Sequence, residues 1–252
     1  MPLPTARSAP KTDIEALYWL IFGPPGIGKS TLAAGFPNAI FFTTERAHRH
    51  LSIYDRQIKD WQDFRLAVQE LKTKDGSKFK NVVIDTVDLL FKMCTEEICK
   101  KLGIDHPQDE SYGKGYDAVK TEFQRELIKL SLFQKGIVFV SHAQDKEITA
   151  RNIKYTKTVP SMPGGCHKVI VPFVDVCCYC GFGKADAGKR VAIFKPEEHL
   201  EAKDRFGRFP AEVDLSYGAI EQAWREGRGL RAAPTKVSSP IKKIARIKSG
   251  GM

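Results

Sequence analysis

Gly23-Pro24-Pro25-Gly26-Ile27-Gly28-Lys29-Ser30 follows directly on the apolar run Leu17–Phe22 and opens onto Thr31-Leu32-Ala33-Ala34. The octet fits G-x-x-x-x-G-K-[ST] at every fixed position. Glycines at this spacing let successive backbone N–H groups turn inward around phosphate oxygens, and a helix starting at Lys29 adds the positive end of its dipole. The run before the octet suits a buried strand of a parallel sheet, and Pro37 stops the helix after it. In that setting Lys29 reaches the β- and γ-phosphates of a nucleotide and the Ser30 hydroxyl ligates Mg²⁺. The expected nucleotide contacts are therefore Gly23, Pro24, Pro25, Gly26, Ile27, Gly28, Lys29, Ser30 and Thr31, with ATP and Mg²⁺ as the bound species.

Outward from this loop, the chain alternates strand and helix signals. Ala39–Thr43, Val82–Asp85 and Ile137–Val140 are short apolar runs, whereas Trp61–Lys72, Val87–Ile98 and Tyr116–Leu130 carry apolar residues at helical spacing. Asp75-Gly76 reads as a turn, and Gly103 ends the second of these helices. This rhythm predicts an α/β domain with a mostly parallel sheet. Val82-Val83-Ile84 delivers Asp85 to a strand's carboxyl end, where it is placed to orient Mg²⁺, although an Asp there also serves as a helix N-cap. Glu45, just beyond Phe41-Phe42-Thr43-Thr44, emerges at the same edge and is the candidate to polarise the attacking water; the plainer reading is a solvated surface glutamate. Ser141-His142 ends the fourth strand there, and His142 is either a γ-phosphate sensor or a satisfied core histidine.

Beyond Ser141 the character changes. Residues 143–168 are polar and punctuated by Pro160, Pro163, Gly164 and Gly165, which predicts a long mobile loop. Val174–Tyr179 and Arg190–Phe194 read as a hairpin on the sheet edge, and residues 216–226 as a last helix. The domain reading is a flexible lead-in over 1–13, a core over 14–226 and a disordered basic tail over 227–252. Of the net charge of +10, seven units fall between Arg225 and Met252, where eight basic residues face one acid. Such a segment is either a polyanion-binding arm or a solubilising tail.

The longest apolar run, Ala16–Phe22, is far short of the roughly 20 residues that cross a bilayer, and the first fifteen residues show no secretory h-region. Six cysteines without a regular framework fit free thiols in a reducing cytoplasm. Cys177, Cys178 and Cys180 lack the paired C-x-x-C spacing of a zinc site, and on a strand Cys178 and Cys180 share one face while Cys177 takes the other.

The order GPPGIGKS, FFTTE, VVID, VFVSH resembles the RecA-like P-loop ATPases. Within them the chain is similar to the compact, phage-encoded, core-only RecA proteins, which are grouped with AAA-type nucleotide-binding proteins and include single-strand annealing recombinases. Phe194-Lys195-Pro196 and Ala202-Lys203-Asp204-Arg205-Phe206-Gly207-Arg208-Phe209-Pro210 resemble that group's C-terminal signature, so the likeness covers about residues 15–226. It implies a RecA-like fold with a C-terminal β-hairpin extension. It also implies a ring or filament of identical subunits in the host cytoplasm, in which Lys203 and Arg205 complete a neighbour's ATP site; as bare sequence the two are equally a solvated basic turn. It implies further that the 143–168 segment meets single-stranded DNA. There Lys146, Arg151, Lys154, Lys157 and Lys168 would face phosphates, and Tyr155 would stack on a base. The function expected is a DNA-stimulated ATPase of DNA recombination with Glu45, Lys29 and His142 as catalytic groups. The alternatives are a nucleotide-gated helicase loader or replication accessory factor, and a small-molecule kinase.

Overall fold

The computed structural model describes residues 13–45, 49–150, 153–184 and 186–227. Apart from Asp13 and Gly227, the expected lead-in and basic tail lie outside the described residues, as does Arg151. In chain order the elements are β1 (Tyr18–Gly23), α1 (Lys29–Ala34), β2 (Ala39–Thr43), β3 (Tyr54–Gln57), α2 (Trp61–Glu70), α3 (Lys74–Ser77), β4 (Asn81–Asp85), α4 (Val87–Leu102), α5 (Lys114–Ser131), β5 (Gly136–Ala150), β6 (Ile153–Pro160), α6 (Gly164–Phe173), β7 (Val176–Phe182), β8 (Arg190–Ile193), β9 (Lys203–Asp204), β10 (Glu212–Asp214) and α7 (Tyr217–Glu226).

The sheet runs β10-β8-β7-β1-β5-β4-β2-β3. From β7 to β3 all neighbours are parallel, and β8 and β10 add an antiparallel margin. Both faces are covered, which is why the inner strands read as unbroken apolar runs. Successive side chains alternate between the layers: Leu20, Phe22, Phe42, Ile84 and Phe139 join the core under α2, α4, α5 and α6, whereas Trp19, Ile21, Phe41, Val83 and Val138 join the core that α1 and α7 close. In α4 the buried stripe is Val87, Leu90, Phe91 and Cys94, the i, i+3, i+4, i+7 spacing of one helix face, and Gly103 ends it. No helix among the described residues is long and apolar enough to cross a membrane.

Three sequence expectations need correction. Asp75 and Gly76 lie not in an open turn but in the one-turn α3, where the Thr73 hydroxyl accepts the Gly76 N–H at 3.2 Å. The C-terminal hairpin does not hang on the sheet edge: β7 lies against β1, and the outer position belongs to β10. The largest correction concerns residues 143–168. The inner half of β5 pairs with β1 and β4, but the strand continues beyond His142, leaves the sheet, and pairs residue for residue with β6 from Ala143↔Pro160 to Ala150↔Ile153. After Pro163 the chain enters α6. The segment is a two-stranded arm and the start of a helix. Its outer turns have no core to face, so the apolar alternation that reveals a strand is missing, while Ile148, Thr149, Tyr155, Thr156, Thr158 and Val159 still supply β propensity.

Candidate nucleotide site

The octet forms the bend between β1 and α1. Gly26 and Gly28 hold φ of 75° and 112°, left-handed conformations that aim consecutive peptide N–H groups into the bend, and Gly28 is the N-cap of α1. Lys29 is 6% exposed, and its Nζ donates to the carbonyls of Gly23 and Pro24, each at 3.0 Å. Burial pushes this ammonium below the usual lysine range, although nearby Cys180, Asp85, Asp88 and Glu45 pull the other way. A buried cation whose hydrogen bonds among the described residues go to loop carbonyls is a ready partner for a polyphosphate.

β5 lies between β1 and β4; β1 and β4 end at this edge, and β5 leaves the sheet there. The register sets His142 beside Gly23 and Asp85 beside Val140. Ser30 Oγ donates to Asp85 Oδ2 at 2.6 Å, so the two groups expected to share a magnesium ion already converge. A hydroxyl and a carboxylate are hard oxygen donors of the kind Mg²⁺ accepts, and the residues fit it. When bound there, Mg²⁺ would neutralise charge on the β- and γ-phosphates.

Glu45 and His142 face each other across the same pocket, Oε1 to Nε2 at 3.9 Å, and His142 Nδ1 is buried without a hydrogen-bond partner among the described residues. Thr86 Oγ1 lies 3.5 Å from Glu45 Oε1, and the Thr44 hydroxyl accepts the Thr86 N–H at 2.8 Å, which ties the Glu45 segment to the end of β4. The cavity holds about 380 Å³ and gathers Lys29, Ser30, Asp85, Glu45 and His142, with His50 and Arg190 completing the wall.

Two groups escaped the sequence reading. Arg190, the first residue of β8, reaches this cavity from the side opposite Asp85 and donates to the Ile27 carbonyl at 3.3 Å. Asp88, in the first turn of α4, holds both legs of the arm. Its carboxylate accepts from Ser141 Oγ at 2.9 Å, from the His142 N–H at 3.3 Å, and from Ser161 Oγ, just past β6, at 3.3 Å. Burial raises the Asp88 carboxyl above the ordinary carboxylate range, against the pull of the Ser141 and His142 hydrogen bonds. Nothing in sequence spacing announces a carboxylate that binds Ser141 and Ser161 together; only the strand register does.

Lys203 and Arg205 are not brought to this cavity. β9 pairs with the start of β7, at the edge of the sheet remote from Lys29. There Lys203 Nζ donates to the carbonyls of Val171 at 2.7 Å and Val174 at 2.6 Å, and Arg205 bonds Asp175 at 2.8 Å and the Pro172 carbonyl at 3.0 Å. Within this chain they close the C-terminal end of α6.

On the arm, Lys146 and Lys157 are direct cross-strand partners, with the Ile148↔Tyr155 pair next along the same face; Lys154 pairs with Thr149 on the other face. Lys168 of α6 joins Lys146 and Lys157 around a groove of about 560 Å³. All six cysteines are buried, with Cys177 in one core layer and Cys178 and Cys180 in the other.

A parallel sheet with one strand inserted between the strand of the phosphate loop and the strand bearing Asp85 is the RecA-like P-loop NTPase arrangement. Searching the curated proteins gives no match to the chain. A family model described as an AAA domain matches residues 15–206, most of the described chain and every residue of the phosphate edge from Gly23 to Arg190. The chain thus belongs to the AAA domain family, as a nucleotide-binding ATPase of that broad kind.

Proposed function

We propose that this ATPase is an ATP-dependent single-stranded-DNA-binding protein of recombination, a strand-annealing type working as a homo-oligomer in phage or prophage DNA metabolism. The observation that carries the reading is the Lys146↔Lys157 pair. Like charges placed directly opposite on a two-stranded arm are destabilising, and an anion between them removes that cost. Tyr155, one position along that face and edge-on to His199, offers a ring beside a phosphate-binding pair, the combination that suits single strands without strict sequence preference. The arm is rooted at His142 and Asp88, so the γ-phosphate region and the DNA face share one strand. In the proposed cycle Lys29, Ser30 and Asp85 grip Mg-ATP, Glu45 takes the proton of the attacking water, and His142 registers the γ-phosphate.

The test is anisotropy of a labelled single-stranded oligonucleotide over a salt series. Replacing both Lys146 and Lys157 by Glu should weaken binding at least tenfold and flatten the slope of log affinity against log salt by about 1.4, the value for two lost phosphate contacts on a single strand. Unchanged affinity and slope would remove the arm from DNA binding. A second reading, a nucleotide-gated loader gripping a protein, draws on the neighbouring cavity of about 690 Å³, lined by Leu89, Phe91, Pro107, Tyr116 and Val119. A partner's apolar side chains fit there, and ATP turnover insensitive to DNA would favour it.

A further inference from the structure

Arg190 is fixed in place by rigid backbone and yet has almost nothing to bind. It starts β8 opposite Phe182, and its carbonyl accepts the Leu215 N–H at 3.1 Å. Its guanidinium has five donors, but the one hydrogen bond found for it among the described residues is the long 3.3 Å contact to the Ile27 carbonyl. Asp214, across from Val191 on β10, is taken by Lys189 at 2.6 Å, and neighbouring residues of a strand face opposite sides. The guanidinium instead lies over the phosphate bend, 3.5 Å from where a Cβ on Gly28 would sit. A second cation thus stands within the same cavity as Lys29 with no carboxylate in ion-pair range among the described residues.

From this we propose that Arg190 is a nucleotide-binding residue of its own chain, clamping the α- and β-phosphates from the β7–β8 wall. The placement follows from what faces it. Asp85, Glu45 and His142 occupy the β4–β5 side, where the γ-phosphate and its water belong, so an arginine on the opposite wall meets the phosphates nearer the ribose. Guanidinium–phosphate pairs are charge-assisted and frequently bidentate, and a planar fork is better suited to this than an ammonium. The cation in question is not the Lys203 and Arg205 pair, which is bound at the remote edge. The proposal rests on the nucleotide-site reading and adds to it a determinant of affinity.

The experiment measures fluorescent ATP and ADP analogues, and melting with and without each nucleotide, for the wild-type chain, Arg190→Ala and Arg190→Lys. Arg190→Ala should weaken ATP and ADP alike by about ten- to a hundredfold, the loss of one hydrogen bond to a charged group. The nucleotide-free melting temperature should not move, and the loss should fall more heavily on KM than on kcat, the pattern of lost ground-state binding. Arg190→Lys should fall between. Wild-type affinity for both nucleotides in Arg190→Ala overturns the proposal, and so does a loss confined to ATP, which would put the side chain on the γ-phosphate. A wild-type chain that binds neither nucleotide overturns the phosphate site itself. Binding by the wild type with an indifferent Arg190→Ala overturns only the arginine.

Discussion

The two edges of the central sheet both hold cations against backbone carbonyls, to opposite ends. At the edge where β7 begins, Lys203 bonds carbonyls of the last turn of α6 at 2.6 and 2.7 Å, and Arg205 adds a carboxylate partner in Asp175, whose other oxygen accepts the Tyr18 N–H at 3.1 Å. Helix ends leave carbonyls without partners, so these cations answer a need of the fold. At the phosphate edge, Lys29 has two 3.0 Å contacts to a glycine-rich bend and Arg190 one at 3.3 Å. Their carbonyl partners belong to a loop shaped by Gly26 and Gly28, not to a helix end. The difference separates a cation that completes a structure from one held ready for a ligand, and residue type alone does not make that distinction.

The sharpest way to break the comparison is Lys29→Ala. ATP turnover should drop about a hundred- to a thousandfold, since a cation placed against the developing phosphate charge is lost, and phosphate release measures it. The nucleotide-free chain should melt no earlier than wild type, because the Gly23 and Pro24 carbonyls belong to a loop bordering a cavity where water can take the ammonium's place, and not to a helix end. A clearly lowered melting temperature would class Lys29 with Lys203.

A middle-sized effect is expected at the other edge. Lys203→Met keeps the stem but strands the Val171 and Val174 carbonyls, so denaturant unfolding should show a loss of about 1–3 kcal/mol with nucleotide affinity unchanged. Undiminished stability would mean that α6 needs no such cap.

The smallest effect is a pH dependence. Lys29 sits below the usual lysine range, so alkali removes its proton earlier than from an exposed lysine. The charged form is the one burial disfavours. Deprotonation therefore relieves a cost to the fold as pH rises through the lowered value, while over the same interval nucleotide affinity falls because phosphate needs the ammonium. Calorimetry in buffers of different ionisation enthalpy, at alkaline pH short of the ordinary lysine range, should detect fractional proton uptake on ATP binding. Zero uptake in wild type, or equal uptake in Lys29→Ala, would detach that shift from the site.

What could be read in advance follows a physical division. The bend is contiguous in sequence, so its glycines, Lys29 and Ser30 declare themselves, and strands buried on both faces announce themselves as apolar runs. Asp85 is legible because such a bend demands a carboxylate at a strand end. Arg190 is not, since its place depends on β7 lying against β1 and β8 following it, a pairing that no local pattern encodes. Lys203 and Arg205 are recognisable as an extended segment, but which end of the sheet receives it is decided by antiparallel pairing of β9 with β7. The arm was hidden for a different reason: with water on both sides, Lys146 through Thr149 have no apolar period to display.

The Asp88 carboxylate fastens the outgoing leg of the arm at Ser141 and His142 and the returning leg at Ser161. Neither strand can shift alone at its root without breaking that junction. The eight paired positions beyond it, from Ala143 to Ala150, extend about 25 Å at strand rise. The ribbon is held a second time where the Thr158 N–H and carbonyl bond the 199–201 backbone and the Thr156 carbonyl meets the His199 ring. It is therefore a bracket fixed at two heights, and a rotation at its root, where Glu45 and His142 face each other, must drag the 199–201 segment with it.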